Sequence, residues 1–410
     1  MVSVTHQPAD SLEKKIDKIQ KGFSREAKIV AHGAGSIVVL EFILGLLMVA
    51  AGVPIPGLGF AVNIAVAILL IFIRLYKPSE YICPNLGLFA ASFILALTYV
   101  SIMSATVGIS TTDDVLRRAF RIAIIFGIVL LIADKRINFK SLMLGLGIGM
   151  VINAIAFYLG IAPAAYGDAL TGWMGDKNVA GMYYGVIPII LFGLFEKQWH
   201  RLLIVALTLP LLFETGSRTS MGGFILGVLW ILFARKASLV VKIFLGFAFA
   251  WLFEWMQSNF ADSSVFGDRT GTDWYREQID IASWAKTEAA PWHGLGFGQA
   301  TVILPNGEGM YFHNSYWTLL VEGGWPWAIA ILGVTFYAVF VWKQAGQRNR
   351  TERNLTAEAA TVFLAVCSWR LGEVMLTIPW AFAVGCALSL TALPKKNILS
   401  YNTTKYGYET

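Results

Sequence analysis

Apolar residues recur along this chain in blocks of roughly 17 to 22 residues, and these blocks limit what the chain can fold into. A helix of that length crosses the roughly 30 Å hydrocarbon layer of a bilayer. Only 14% of the residues are charged, against about 25% in ordinary soluble domains, which excludes a water-soluble globular enzyme. The blocks predict an all-α polytopic membrane protein with about twelve transmembrane helices and one large outer loop containing short helices.

The predicted spans divide the chain into five regions. The spans are 36–53, 57–74, 84–103, 118–134, 141–162, 179–195, 201–214, 219–234, 239–256, 325–342, 355–372 and 377–394. The regions are a cytoplasmic amphipathic segment (1–35), spans one to nine (36–257), an outer cap loop (258–324), spans ten to twelve (325–394) and a cytoplasmic tail (395–410). Leu12, Ile16 and Ile19 recur at helical spacing within basic residues, which predicts an amphipathic helix on the membrane surface. A solvated tail is the alternative.

Charge sets the predicted orientation. The net charge of +6 follows from the excess of Lys and Arg in cytoplasmic loops, so we expect no nucleic-acid partner. Most of the basic residues, Lys242 among them, fall on the cytoplasmic side when both termini are placed there. Nine fall on the outer side or just below its surface: Arg117, Arg118, Arg121, Lys177, Arg218, Arg269, Arg276, Lys286 and Arg370. Arginines at outer helix ends indicate an anion held at the outer leaflet.

The connection between spans nine and ten is the one long loop. It runs from 258 to 313, has no apolar block long enough for a span, and is rich in Trp, Gly and Asp. Loops of this length are uncommon unless they are functional or disordered. Its aromatic residues predict an ordered cap.

Four short motifs lie between residues 170 and 330. Residues 291–298 follow the pattern P-x-x-G-x-G-x-G, and His313-Asn314 is followed by Gly324. Residues 175–181 contain D-x-N-x-x-A before a predicted helix, and residues 215–220 contain S-R-T at the outer start of another. Each motif alone is weak, but the four in this order are more specific.

The four motifs resemble those of the O-antigen ligase and polymerase superfamily of bacterial envelope glycosyltransferases. The resemblance implies a bacterial inner-membrane protein whose active site, under the cap loop, faces the periplasm. The sequence departs from the family pattern at Trp327, where a small residue or tyrosine is usual. It also lacks the usual G-R-x-x-x-W frame, since Thr272 follows Gly271, which leaves Arg269 and Arg276 as alternatives for the loop arginine.

The residue types suit glycan transfer from a lipid pyrophosphate. The attacking hydroxyl must lose a proton, and His313 is the expected general base; hydrogen bonding to a phosphate or to the acceptor, or a purely structural role, are its alternatives. Arg218, with Arg276 or Arg269, would offset the pyrophosphate charge, because guanidinium binds phosphate bidentately. The chain has no D-x-D pair for a divalent cation, so we expect no metal and no cofactor.

Further residues are predicted to contact substrate. Lys177, Asn178, Asn314 and Tyr275 are expected near the donor; a helix cap is the alternative for Asn178 and a stray charge for Lys177. Arg118 and Arg121 could meet phosphates of a lipid acceptor. They could instead pair with Asp113 or Asp114.

Two other ionisable positions are expected to have structural roles. The three-residue spacing of Arg370 and Glu373 predicts a buried ion pair. Glu322 is expected to serve helix packing, and a role as a second acid/base group is its alternative.

The resemblance implies an O-antigen ligase. Its donor would be undecaprenyl-pyrophosphate-linked O-polysaccharide, its acceptor lipid A–core, and its surroundings membrane lipids. An O-antigen polymerase acting on the same carrier is the nearest alternative, and a protein-directed oligosaccharyltransferase is the third. A transporter or flippase for the lipid-linked glycan belongs to a different class, and charged groups in the inner halves of the spans would favour it.

Overall fold

The computed structural model describes residues 37–57, 59–260, 270–342 and 352–395. Within helix ends 256–260, 270–273 and 352 only the backbone is described. The predicted amphipathic segment, Arg269 and the tail beyond residue 395 lie outside these ranges.

The described residues are mostly helical. The helices are α1 (Val39–Leu47), α2 (Val62–Leu75), α3 (Leu86–Val107), α4 (Thr112–Ala133), α5 (Phe139–Tyr158), α6 (Lys177–Leu194), α7 (Gln198–Glu214), α8 (Arg218–Phe233), α9 (Leu239–Phe260), α10 (Thr270–Ala289), α11 (Ser315–Phe336), α12 (Glu352–Arg370) and α13 (Ile378–Ser389). Two antiparallel strand pairs join β1 (Tyr81–Ile82) to β4 (Leu393–Pro394) and β2 (Thr301–Ile303) to β3 (Gly309–Tyr311).

Each predicted span overlaps a helix, and α10 is an additional helix within the predicted cap. Five helices in the described parts of the chain are long and apolar enough to cross a membrane. They are α3, α5, α6, α8 with its extension to Lys236, and α11 with its extension to Val341. Helix α1 is much shorter than the predicted span 36–53, because Gly52, Pro54 and Pro56 follow it and do not support a helix.

Small residues let helices α6, α8 and α12 pack closely together. A Cβ at Gly185 of α6 would lie 2.3 Å from the ring of Phe363 in α12, and one at Gly223 of α8 would lie 3.2 Å from the same ring. Close backbone approach through glycine is typical of helices packed within membranes. Helix α6 is mostly buried by its neighbours, whereas most of α3 is exposed at the periphery.

Helix α11 begins ten residues before the predicted span at 325 and is broken at Gly324. The φ and ψ angles there, 67° and −166°, belong to a region that only glycine adopts readily. The glycine-rich segment 291–298 closes on the break: Leu295 N–H donates to the Val321 carbonyl at 2.7 Å, and Trp325 N–H donates to the Trp292 carbonyl at 2.9 Å. The break therefore joins the cap to the transmembrane helices.

Replacing Gly324 with Ala should destabilise this junction. A Cβ at Gly324 would lie 2.0 Å from the Trp292 carbonyl oxygen, in addition to the unfavourable backbone conformation. We expect a loss of about 1–3 kcal/mol in the free energy of unfolding, measured by thermal denaturation in detergent. Gly333→Ala in the same helix is the matched control, because a Cβ at Gly333 would meet no atom within 4 Å. An equal melting temperature for both variants would contradict the prediction.

Charged residues are buried near the predicted inner ends of the helices, contrary to the loop placement of Lys242. The Lys242 ammonium in α9 forms an ion pair with Glu358 of α12, and both side chains are 1% exposed. Arg74 and Glu41 form a second pair at 2.6 Å, with Glu41 fully buried. Lys242 is buried because it lies inside α9, three residues after the start of the helix, where its side chain faces α12.

Candidate functional site

Three helices, α6, α8 and α11, are capped at their N-termini by a side chain. Asp176 caps α6, Ser217 caps α8 and Asn314 caps α11, each accepting hydrogen bonds from backbone N–H groups of the first helical turn. The sequence predicts Asn314 to be a substrate ligand. Its side-chain oxygen accepts from Tyr316 N–H at 2.9 Å and Trp317 N–H at 3.2 Å, so it sets the start of α11 directly after His313.

Two of these helix starts lie side by side. A Cβ at Gly181 in α6 would lie 2.6 Å from both Ser217 Cβ and Ser220 Oγ of α8. Lys177 and Arg218, the first residues of α6 and α8, are thus brought to the same region from positions far apart in sequence. Helix starts carry partial positive charge, which the Asp176 carboxylate offsets at α6. The start of α8 and the side chains of Lys177 and Arg218 are therefore the groups of this region that favour an anion.

The end of α12 connects the start of α11 to the same region. Ser315 Oγ of α11 donates to the carbonyls of Leu371 and Gly372 at 3.2 and 2.6 Å. Four residues before Leu371, Cys367 is hydrogen-bonded to Ser220 of α8. The end of α12 therefore contacts the first turns of both α8 and α11.

His313 lies between β3 and α11 with its side chain half-buried. Its Nδ1 is buried and has no hydrogen-bond partner within the described part of the chain. The pKa of His313 is lowered from 6.5 to about 4, first by burial and then by the positive charge of Arg276, while the negative charge of Asp176 opposes both. The charges of Arg276 and Asp176 thus both act on His313, and the ring is neutral at pH 7.

Arg276 comes from the cap helix α10, which ion pairs tie to the transmembrane helices. Burial raises the pKa of Asp280, one turn after Arg276, while the charges of Arg370 and Arg276 lower it. Arg370 at the end of α12 lies 3.5 Å from Asp280 and 2.9 Å from Glu254 of α9. The predicted pair of Arg370 with Glu373 is wrong, because Arg370 is the last residue of α12 and Glu373 lies in the turn beyond it.

Arg118 and Arg121 are held in ion pairs, but not with the acidic residues considered in the sequence. Arg118 binds Glu322 at 3.0 Å and also Glu373, and Arg121 binds Glu373. Asp114 instead pairs with Thr111 in the first turn of α4. The two arginines are therefore already partly neutralised, and their role as substrate ligands stays a prediction.

Tyr275 contacts the strand pair of the cap. Its hydroxyl binds the Glu308 carboxylate, which also accepts from Asn306 Nδ2 at 3.0 Å. The hydrogen bond to Glu308 raises the pKa of Tyr275. Tyr275 thus joins α10 to the turn between β2 and β3, and a role in binding substrate remains a prediction.

Two residues of the site, Asp176 and Tyr166, were not predicted from the sequence. Asp176 stands in the D-x-N motif, but its charge at His313 arises only from tertiary packing. Tyr166 is hydrogen-bonded to Asp176, which raises the pKa of the tyrosine to about 12, and the Lys177 ammonium lies 5.7 Å from the centre of its ring. Nothing in the sequence around Tyr166 indicated this position.

The charges around His313 predict how its titration responds to substitution. Arg276→Gln removes a positive charge, so we expect the midpoint of His313 protonation to rise from about 4 toward 6.5. Asp176→Asn should lower it. Nitrogen-15 NMR of the ring measures this directly, since the chain has five histidines. Below pH 6.5 the unfolded chain binds this proton before the folded one, so His313 also destabilises the fold as the pH falls toward 4.

Glu277→Gln provides the control for this titration. Glu277 is adjacent to Arg276 in α10 but exposed, and its substitution should leave the midpoint unchanged. A midpoint that does not respond to Arg276→Gln would show that the arginine does not act on His313.

Comparison of this chain with known proteins identified no relative. No protein-family model matches this chain, and no curated protein matches it. In the described ranges no group of three or more His, Cys, Asp or Glu side chains is placed to hold a metal ion.

Proposed function

We propose that this chain is an O-antigen ligase, a glycosyltransferase that moves O-polysaccharide from undecaprenyl pyrophosphate to lipid A–core. The observation that carries the proposal is the half-buried, neutral His313 within reach of Arg276, in a region where Arg218 and Lys177 begin adjacent helices. A base beside a cluster of positive charge and helix starts suits a reaction that removes a proton and releases a pyrophosphate. The order of the four motifs supports the same assignment.

The proposed reaction is a single displacement. The acceptor hydroxyl oxygen attacks the anomeric carbon of the donor glycan and forms the new glycosidic bond. The bond from that carbon to the pyrophosphate oxygen breaks, and undecaprenyl pyrophosphate leaves with the electron pair. His313 takes the hydroxyl proton and later gives it to water. Attack opposite the leaving group would invert the anomeric centre.

Arg218 and Arg276 would stabilise the leaving group. A guanidinium keeps its charge at any physiological pH and matches two phosphate oxygens at once. The start of α8, capped by the neutral Ser217, adds a fixed partial positive charge beside Arg218, whereas the Asp176 carboxylate offsets that of α6. No metal ion enters the proposal, and Lys177 and Asn178 at the start of α6 would contact the donor from the other side.

The proposal includes an orientation in the bacterial inner membrane. Twelve helices would span it, both termini would lie in the cytoplasm, and α10 with the β2–β3 pair would cap the site from the periplasm. Lys and Arg concentrate at the opposite ends of the helices from His313, in agreement with the distribution found in cytoplasmic loops. Both substrates are lipids, so they would enter sideways from the outer leaflet, beneath the cap.

A flippase for the same lipid-linked glycan is the second candidate. The pair of Lys242 and Glu358, buried near the predicted inner ends of α9 and α12, is the kind of inner charge that favours it. Each charge is offset by its partner, however, and Trp230 Nε1 also donates to Glu358 at 3.1 Å. A buried ion pair whose charges offset each other suits a structural contact between helices better than a path along which substrate moves.

Transfer in a purified system tests the proposal. The protein in detergent would be mixed with isolated polyprenyl-pyrophosphate glycan and lipid A–core in the presence of EDTA. Formation of glycan-bearing lipid A–core would support the ligase. Lengthening of the glycan on its own carrier would instead support a polymerase. Movement of the lipid-linked glycan across proteoliposomes, without a new bond to any acceptor, would support the flippase.

A further inference from the structure

The turn between α12 and α13 lies directly against the backbone of His313. A Cβ at Gly372 would lie 2.4 Å from the Phe312 carbonyl oxygen and 4.0 Å from His313 Cα. Ser315 Oγ, two residues after His313, donates to the Gly372 carbonyl at 2.6 Å and accepts from Val374 N–H at 3.0 Å. The backbone on both sides of His313 thus rests on this one turn.

Ion pairs fix the start and the middle of the same turn. Arg370, just before it, is held by Glu254 and Asp280. Glu373, inside it, is held by Arg118 and Arg121 of α4. These contacts tie the turn to α4, α9 and the cap helix α10.

Arg118 extends the connection to the glycine-rich segment of the cap. It binds Glu322, whose other carboxylate oxygen accepts from Gly298 N–H at 3.1 Å. Glu322 is 3% exposed and lies in α11 two residues before its break at Gly324. The break, the glycine-rich segment and the turn behind His313 are thereby linked through Arg118.

The turn also contains an unfavourable backbone conformation. Leu376 has φ of 60° although it is not glycine, and its side chain is buried. Thr377 then caps α13 and donates to the Val374 carbonyl at 2.7 Å. Conformations of this kind persist where the surrounding contacts fix the chain, and they concentrate at functional sites.

We propose that residues 370–377 form a strut that sets the position of His313, with Gly372, Ser315 and Glu373 as positioning residues. A general base must sit within hydrogen-bond distance of its proton, and a shift of about 1 Å can cost about 100-fold in rate. The strut contacts the His313 backbone, whereas Arg218 and Arg276 belong to α8 and α10. The inference rests on the proposed function for its kinetic consequence, while its structural consequence can be measured separately.

Gly372→Ala tests the strut. The added methyl group would displace the Phe312 carbonyl and move His313, so we expect kcat for transfer to fall by about 10- to 100-fold. The KM for the lipid-linked donor should stay within about twofold, because the arginines that would bind pyrophosphate are untouched. Gly333→Ala, in open space on α11, is the control and should keep the wild-type kcat.

Glu373→Gln tests the same strut without adding volume. Removing the carboxylate charge releases the middle of the turn from Arg118 and Arg121. We expect kcat to fall again, with little change in the KM for the lipid-linked donor. Glu373→Asp keeps the charge and should recover part of the loss. This second pair of variants also decides the matter if Gly372→Ala does not fold.

Nitrogen-15 NMR of His313 separates failure of the strut from failure of the proposed function. Both Gly372→Ala and Glu373→Gln should shift the ring signals of His313 and leave those of His200 unchanged. Shifted signals in a protein that transfers no glycan would keep the strut and reject the ligase. Signals and kcat identical to those of Gly333→Ala would overturn the strut, whether or not the wild type is a ligase.

Discussion

Replacing His313 with Ala is expected to reduce the rate of glycan transfer by about 100- to 10,000-fold, the usual contribution of a positioned general base. The ring is neutral at pH 7, since burial and the charge of Arg276 lower its pKa to about 4. It can therefore accept a proton without first losing one. Binding of the lipid-linked donor should change little, because the residues proposed to hold pyrophosphate remain. Transfer would be followed by gel shift of lipid A–core, and donor affinity by microscale thermophoresis.

His293→Ala is the matched control for this substitution. His293 also belongs to the cap, but its Nδ1 contacts the carbonyl of Gly294 at 3.0 Å within the glycine-rich segment. We expect it to keep nearly all transfer activity. If His313→Ala weakens donor binding by as much as it slows transfer, the histidine holds a phosphate and is not the base. If the variant transfers glycan at more than about a tenth of the wild-type rate, general base catalysis by this residue is rejected.

The sequence predicted the positions of the helices well, because the apolar blocks and the polar residues between them are local features. The predicted spans 179–195 and 219–234 begin within two residues of the starts of α6 and α8, which Asp176 and Ser217 cap. The start of α11 was misplaced for a physical reason. Residues 315–323 are helical but belong to the cap side of the break, and the unusual backbone at Gly324 becomes evident only when the glycine-rich segment packs on it.

The partners of the charged residues were much harder to predict. His313, Arg218 and Arg276 were selected by residue type and motif, yet the charge of Asp176 at His313 depends on contacts between segments well over 100 residues apart. The same holds for Glu373, which binds Arg118 and Arg121 instead of Arg370. The three-residue spacing favoured a pair of Arg370 with Glu373. This pair does not form, because α12 ends at Arg370 and Glu373 lies in the turn beyond it. Sequence periodicity carries no information on such contacts.

Arg218, the first residue of α8, is expected to stabilise the leaving pyrophosphate. Arg218→Ala is expected to lower kcat by about 100- to 1,000-fold, as for removal of one preorganised donor from a developing anion. Arg218→Lys keeps the charge but loses the planar pair of donors, so it should recover only part of this loss. Activity would be measured with excess donor, so that weaker binding alone cannot explain a lower rate.

Arg235→Ala is the control within the same structural unit. Arg235 is exposed just beyond the other end of α8, on the predicted cytoplasmic side. Its substitution removes the same charge from the protein without changing the site, and transfer should continue at the wild-type rate. Equal losses in the two variants would mean that Arg218 acts through net charge or stability. Loss in Arg218→Ala alone, with its melting temperature preserved, would place the stabilised negative charge at the start of α8, next to the start of α6 and within the region that contains His313.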